Sequence, residues 1–298
     1  MHSAWGFSVM PLPDSRRLVA FLCLYGLAGC HHESSKTRQD VRYVTGAAWQ
    51  GRDGWFYPAE DFALKERGLA VIATKPASGV TADGEIWSAR AMTGAHQTLQ
   101  LPAVVSVRNL QNGRIVRIRL NDRGPGTAGR IIAISPHAAA LLGMGEAPTP
   151  VEIVEDEALS RRIADSDPHA AKLEIATAPR EAITAESLTD GHKEEIGGAP
   201  SREDARSQAL LLPEMPATVQ NGMAETVSYE ILLGSFSGRS VAARVAARCD
   251  GAVTRGSEDG GRLPWRVTRG PFTTVAEADR ALDQARPCGS TGARIVVR

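Results

Sequence analysis

Between residues 114 and 120 the chain reads Arg-Ile-Val-Arg-Ile-Arg-Leu, with apolar and basic positions alternating at a period near two. That period marks a strand with one buried face. An apolar run over 103–110 precedes it, and Asn112-Gly113 between the two runs predicts a β-hairpin turn. Ser135-Pro136 offers an N-cap followed by a proline at the first helical position, so a short helix over 136–142 is expected, stopped by Gly143. Val151-Glu152-Ile153 then reads as a closing strand. Short strands, one small helix and glycine-rich turns predict a small closed barrel over 43–154.

From 155 to 226 the pattern fades. Charged residues, Ala, Ser and Pro dominate, with no aromatic residue and little sustained apolar periodicity. Such a segment buries too little apolar area to offset its ordering entropy, and it reads as a disordered linker with a fleeting helix near 158–163. Order resumes at Tyr229, with a strand over 229–236 and a helix over 240–249 that places Val241, Val245 and Arg248 at helical spacing. A strand over 263–268, a helix over 275–285 and a strand over 293–297 complete a small domain at 227–298. The fold class is mainly β plus α+β.

Arg16-Arg17 and the apolar run 18–27 have the form of an export signal, because about ten apolar residues are too few to span a bilayer. The run ends in Leu27-Ala28-Gly29-Cys30, which looks like a bacterial lipobox: a signal at 1–29, lipid on Cys30 and a polar tether at 30–42. An ordinary signal peptide with a chance cysteine is the alternative, and Met10 is a second candidate start. By resemblance to such lipoproteins, His31 in place of an Asp retention signal points to the outer membrane, periplasmic face. Cys249 and Cys288 are then the remaining cysteines, either a disulfide in an oxidising periplasm or two free thiols. Lys+Arg and Asp+Glu both number 34, so overall charge does not point to nucleic acid. Aromatics are only 5% of residues, which forces aliphatic cores.

The candidate chemistry sits at the end of the alternating strand, in Asn121-Asp122-Arg123-Gly124-Pro125. Upstream stand Thr81-Ala82-Asp83-Gly84-Glu85 and Ala95-His96-Gln97-Thr98-Leu99. Together with Leu101-Pro102, Val107-Arg108-Asn109-Leu110, Asn112-Gly113-Arg114 and Gly129-Arg130-Ile131-Ile132, these resemble the double-psi β-barrel of the rare lipoprotein A family of septal lytic transglycosylases. The resemblance implies endo-cleavage of peptidoglycan glycan strands, preferring strands without stem peptides and leaving anhydro-muramic acid ends. Cleaving a glycosidic bond needs a proton for the leaving oxygen and stabilisation of an oxocarbenium-like centre. Because the sugar's own hydroxyl closes the anhydro ring, one acid/base carboxyl suffices.

On that resemblance Asp122 is the acid/base. Glu85 supplies a neighbouring charge or the base, and His96 holds position by hydrogen bonding. Arg123 serves substrate or barrel frame, and Trp49 with the aromatic stretch Trp55-Phe56-Tyr57 lines the groove or forms a packed lid. Ala133 replaces an Asp common after Arg-Ile-Ile in the family. Taken singly, each residue has a plainer reading: a turn-stabilising ion pair for Asp122 and Arg123, a satisfied rim histidine for His96, a solvated turn end for Glu85. The alternative function is a non-catalytic peptidoglycan-binding outer-membrane lipoprotein.

Gly234-Ser235-Phe236 and Arg266-Val267 with Gly270-Pro271-Phe272, each followed by an Ala-rich helix, resemble the SPOR (sporulation-related repeat) domain. That implies a β-α-β-β-α-β, RNP-like fold that binds denuded glycan, with Ser235, Phe236, Trp265, Arg269 and Phe272 as contacts. Leu232 stands where that family often has Gln. Expected partners are glycan strands, the membrane through the lipid, and division-septum proteins, with enrichment at the septum. No metal-ligand spacing such as CxxC or HExxH occurs, and no cofactor is expected.

Overall fold

The computed structural model describes residues 41–167, 210–256, 263–288 and 292–298. The signal, Cys30, most of the tether and most of the linker lie outside those residues. A small ribbon of β1 (Trp49–Gln50) and β2 (Trp55–Phe56) comes first. Six strands follow: β3 (Lys65–Ile72), β4 (Thr93–His96), β5 (Ala103–Asn109), β6 (Arg114–Arg123), β7 (Arg130–Ile134) and β8 (Thr149–Glu155). They run β4-β7-β3-β8-β5-β6, and β6 returns to pair with β4. The pairs β3–β7 and β4–β6 are parallel and the other neighbours antiparallel. The result is a closed barrel, double-psi-like in its pairing, with no free edge between these six strands.

The period-two reading of β6 holds in detail. Val116, Ile118 and Leu120 point into a wholly aliphatic core with Val105, Val107, Ile132, Ile134 and Ile153. Burying each such side chain stabilises the fold by about 1.5–3 kcal/mol. The hairpin turn is present, Gly113 taking a φ of 75° that a side chain would strain. Helix α1 (Pro136–Leu141) starts where Ser135 Oγ accepts from the Ala138 N–H.

The linker differs from expectation at both ends. Helix α2 (Glu157–Asp165) is capped by Asp156, whose carboxylate accepts from the Leu159 N–H. Its Ile163 packs with Val104 of β5 and with Leu210. The chain from 210 then crosses the outside of the barrel, and β9 (Gln220–Asn221) pairs with β6. Glu225 bonds Arg108 at 2.6 Å and Arg67 at 3.0 Å, and both arginines also pair with Glu152. A few apolar anchors and one charged network hold a polar segment whose own composition cannot.

The C-terminal region contains β10 (Tyr229–Phe236), α3 (Arg239–Cys249), β11 (Ala252–Arg255), β12 (Trp265–Phe272), α4 (Val275–Ala285) and β13 (Arg294–Val297). Its antiparallel sheet has the order β11-β12-β10-β13, the β-α-β-β-α-β order expected. Ala242, Ala246, Ala278 and Leu282 of the helices cover one sheet face. Cys249 and Cys288 form a disulfide with Cα atoms 5.6 Å apart. Leu69 and Leu110 of the barrel join this core cluster, and Arg130 of β7 pairs with Asp279 of α4.

Candidate active site

A cleft of about 450 Å³ opens at the C-terminal end of β6. Asn121, Asp122 and Pro125 form one wall, Gly94 and Ala95 of β4 the floor, and Ile72, Pro76 and Trp87 the far side. That size is in the range of clefts that take whole small ligands, held here against mixed polar and apolar walls. Asp122 Oδ1 accepts from the Arg123 N–H at 2.8 Å and the Ala82 N–H at 3.0 Å. Both bonds fall on one oxygen, which leaves Oδ2 for the cleft. Burial raises the Asp122 carboxyl above its ordinary range, against the two N–H donors and the Arg123 charge that lower it. The elevation comes from burial, not from a neighbouring carboxylate.

Glu85 is buried behind Asn121 rather than in the cleft wall. Arg119 donates to its Oε1 at 2.6 Å and Asn121 Nδ2 to its Oε2 at 3.0 Å. The turn that carries Glu85 also carries Ala82, so one turn serves both candidate carboxylates. Its closure relies on Gly84, at a φ of 98°, and on the Thr81 N–H donating to the Glu85 carbonyl at 2.8 Å. Asp83 in the same turn is fully buried, and its N–H donates to the Asn121 carbonyl at 3.2 Å. Sequence reading passed over Asp83, Asn121 and Arg119. The signal for Arg119 was its place on the outer face of β6, which the alternation alone assigns to solvent.

His96 does not meet Asp122. Ala95 faces the cleft, so the next residue along β4 faces away from it. His96 Nδ1 accepts from the Leu99 and Thr98 N–H groups at 3.1 and 3.2 Å, and Nε2 lies 3.9 Å from Glu66. This corrects the expectation that His96 steadies the acid/base; it fixes the loop after β4 instead. Arg123 is likewise turned to the frame, donating to the Thr45 carbonyl at 2.6 Å and to the Leu99 carbonyl. Burial pushes its guanidinium down to about 10. Trp49 donates its indole N–H to the Gln97 carbonyl at 2.9 Å and stacks on Phe56 at 4.6 Å between ring centroids. It backs Gly126 at the cleft edge, whereas Trp87 forms part of the wall itself. Ala133 also lines the cleft.

Residues 55–153 match the family model described as lytic transglycolase, a span that contains Asp122, Glu85 and every strand of the closed barrel but the last residues of β8. The barrel is a lytic transglycolase domain. The chain is 29% identical over 248 residues to the endolytic peptidoglycan transglycosylase RlpA of Pseudomonas aeruginosa strain PAO1, covering 78% of this chain and 70% of that one. Its likeness to the enzyme of the same name in Escherichia coli K12 is 35% over 116 residues, 37% of this chain and 32% of the relative. A probable RlpA of Nostoc is 48% identical over 77 residues, 25% and 21% of the two chains.

Outside the lytic transglycolase domain, the predicted glycan contacts of the C-terminal region do not share one open surface. Phe236 and Trp265 pair across β10 and β12 and pack on the helix-covered side with Val267. The guanidiniums of Arg239 and Arg255 each lie 5.6 Å from the centre of the Trp265 ring. Arg269 reaches Gln284 of α4 at 3.1 Å, and Phe272 joins the same core. Ser235, opposite Arg266, faces the other way. Four of the five residues therefore contribute to packing, because the strand alternation that places Val267 inward places Trp265 and Arg269 inward too.

Proposed function

We propose that this chain is a lytic transglycosylase that cleaves peptidoglycan glycan strands, with Asp122 as the acid/base. One observation carries the reading. A carboxyl raised by burial stands at a strand end, pinned through one oxygen by two backbone N–H groups and open through the other to the cleft. Protonated Asp122 gives its proton to the glycosidic oxygen as the bond to the anomeric carbon breaks. The resulting carboxylate takes a proton from the sugar's own hydroxyl as that oxygen bonds the anomeric carbon, so no water is consumed and the acid is restored. The Ala82 and Arg123 N–H groups stabilise the carboxylate between the two transfers. Trp87 offers an apolar ring face to the sugar. The names of the relatives supply the substrate, and the cleft is compatible with it.

The finer parts of the reading rest on sequence. Leu27-Ala28-Gly29-Cys30 supports a lipid on Cys30 and an outer-membrane address. The β-α-β-β-α-β order with Gly234-Ser235-Phe236 supports a SPOR module that carries the enzyme to denuded glycan at the division septum. The test is mass spectrometry of products released from peptide-stripped sacculi. Anhydro-muramic acid ends are expected. Reducing ends reassign the protein as a hydrolase, and tight binding without release favours the non-catalytic glycan-binding reading.

A further inference from the structure

We propose that Asp83 is a positioning residue of this site, carried as a neutral carboxylic acid, and that its ionisation opens the turn that aims Asp122. The inference rests on the proposed transglycosylase reading and on the geometry of the turn that bears Glu85. Asp83 is wholly buried. Its Oδ1 accepts from the Thr81 hydroxyl at 2.7 Å and from the Glu85 N–H at 3.1 Å, while Oδ2 has no hydrogen-bond partner. A charged carboxylate with a bare oxygen in a dry site is strongly disfavoured, whereas a protonated one is tolerated.

The charges around it decide which carboxyl keeps the proton. Glu85 lies two residues on, and Arg119 and Asp122 approach from β6. Arg42, in the segment before β1, donates its backbone N–H to the Asp83 carbonyl at 2.8 Å. Arg119 and the Asn121 amide both bond Glu85, so Glu85 takes the negative charge and Asp83 the proton. Burial first, then the Glu85 charge, pushes the Asp83 carboxyl up to about 7. Neutral Asp83 keeps the turn shut. The turn in turn aims the Ala82 N–H at Asp122 and anchors Asn121 through the Asp83 N–H. Once ionised, Asp83 draws Arg119 from Glu85 and must be solvated, and both need the turn to open.

The sign follows from the raised value. The proton is held in the folded chain and lost from the unfolded one, so the contribution of Asp83 is fully present below about 4 and disappears as pH rises through about 7. Asp83→Asn keeps the acceptor for Thr81 and Glu85 but cannot ionise. Both proteins share the fall that comes from losing the Asp122 proton, so the readout is the ratio of the variant's rate to the wild-type rate on peptide-stripped glycan, expected to climb about tenfold between pH 6 and 8. Asp83→Ala removes the acceptor and is expected to lower kcat/KM about tenfold or more at every pH, with KM little changed. Superimposable profiles for wild type and Asp83→Asn overturn the proposal. A carboxyl ¹³C titration of the wild-type chain decides the protonation state without activity: Asp83 neutral at pH 6 is expected, and Asp83 charged at pH 6 overturns the proposal even if both variants misfold. A wild type that never releases glycan, with Asp83 still neutral at pH 6, sinks the transglycosylase reading and with it the link to activity, whereas the titration result stands apart.

Discussion

Arg119 and Glu85 form the tightest charge pair at the site, 2.6 Å apart with side chains only 12% and 9% exposed. The same guanidinium donates to the Pro213 carbonyl at 2.9 Å, so the last part of the linker, which crosses the outside of the barrel, reaches a group directly behind the cleft. Removing one partner of such a pair leaves the other charge buried and unpaired, at a cost of about 3–5 kcal/mol. Arg119→Met is expected to lose that much stability in urea unfolding. Arg119→Met with Glu85→Gln is expected to recover most of it, and a double variant no more stable than the single one contradicts the pairing.

Arg123 serves the backbone rather than the substrate. Its guanidinium spans two carbonyls from separate segments, at Thr45 and Leu99, a geometry a lysine ammonium cannot copy. Arg123→Lys is expected to destabilise the barrel by about 1–3 kcal/mol, with KM for glycan unchanged. A raised KM at unchanged stability assigns Arg123 to substrate after all.

Glu155 makes stability depend on pH. Burial pushes its carboxyl up to about 7, although Gln100 donates to Oε1 at 2.7 Å. The folded chain holds a proton that the unfolded chain releases near 4.5, so this contribution is full below that pH and lost as pH rises through about 7. Relative to Glu155→Gln, the wild type is expected to lose stability between pH 5 and 8. Parallel curves of Tm against pH for the two proteins contradict this.

Much of the barrel was legible because its signals are local. The alternation of β6, the Asn112-Gly113 turn and the Ser135-Pro136 cap each settle a few adjacent residues, and each is in place. The place of Asp122 at a strand end before Gly-Pro was legible for the same reason. What escaped depends on distant partners. The segment 155–167 is ordered by distant partners, Ile163 packing on Val104 and Leu210 and Ser160 Oγ accepting from the Val104 N–H at 3.0 Å, contacts that no window of sequence contains. His96 shows the limit most plainly: the pleat that turns Ala95 into the cleft turns His96 out of it. Asp83 sits in a turn that composition marks as solvated, yet the Asn121 strand covers it.

The disulfide between Cys249 and Cys288 ties the end of α3 to the residues after α4, across a separation of 39 residues. Closing a loop of that length stabilises a domain by about 2–4 kcal/mol. Cys249→Ala with Cys288→Ala is expected to lower the unfolding midpoint of the C-terminal region, read by hydrogen exchange in α3 and α4, and to leave protection in β5 and β6 unchanged. Loss of protection in the barrel strands to the same extent contradicts this.

The central claim is that Asp122 gives and retakes the proton, and the rate of anhydro-muramic acid formation from peptide-stripped sacculi tests it most directly. Asp122→Asn keeps the bonds from the Ala82 and Arg123 N–H groups, so its thermal unfolding and glycan pelleting should match wild type. Its release of anhydro ends is expected to fall by about 10²–10⁴. Equal rates and equal products from wild type and Asp122→Asn would make Asp122 a structural turn residue and contradict the account.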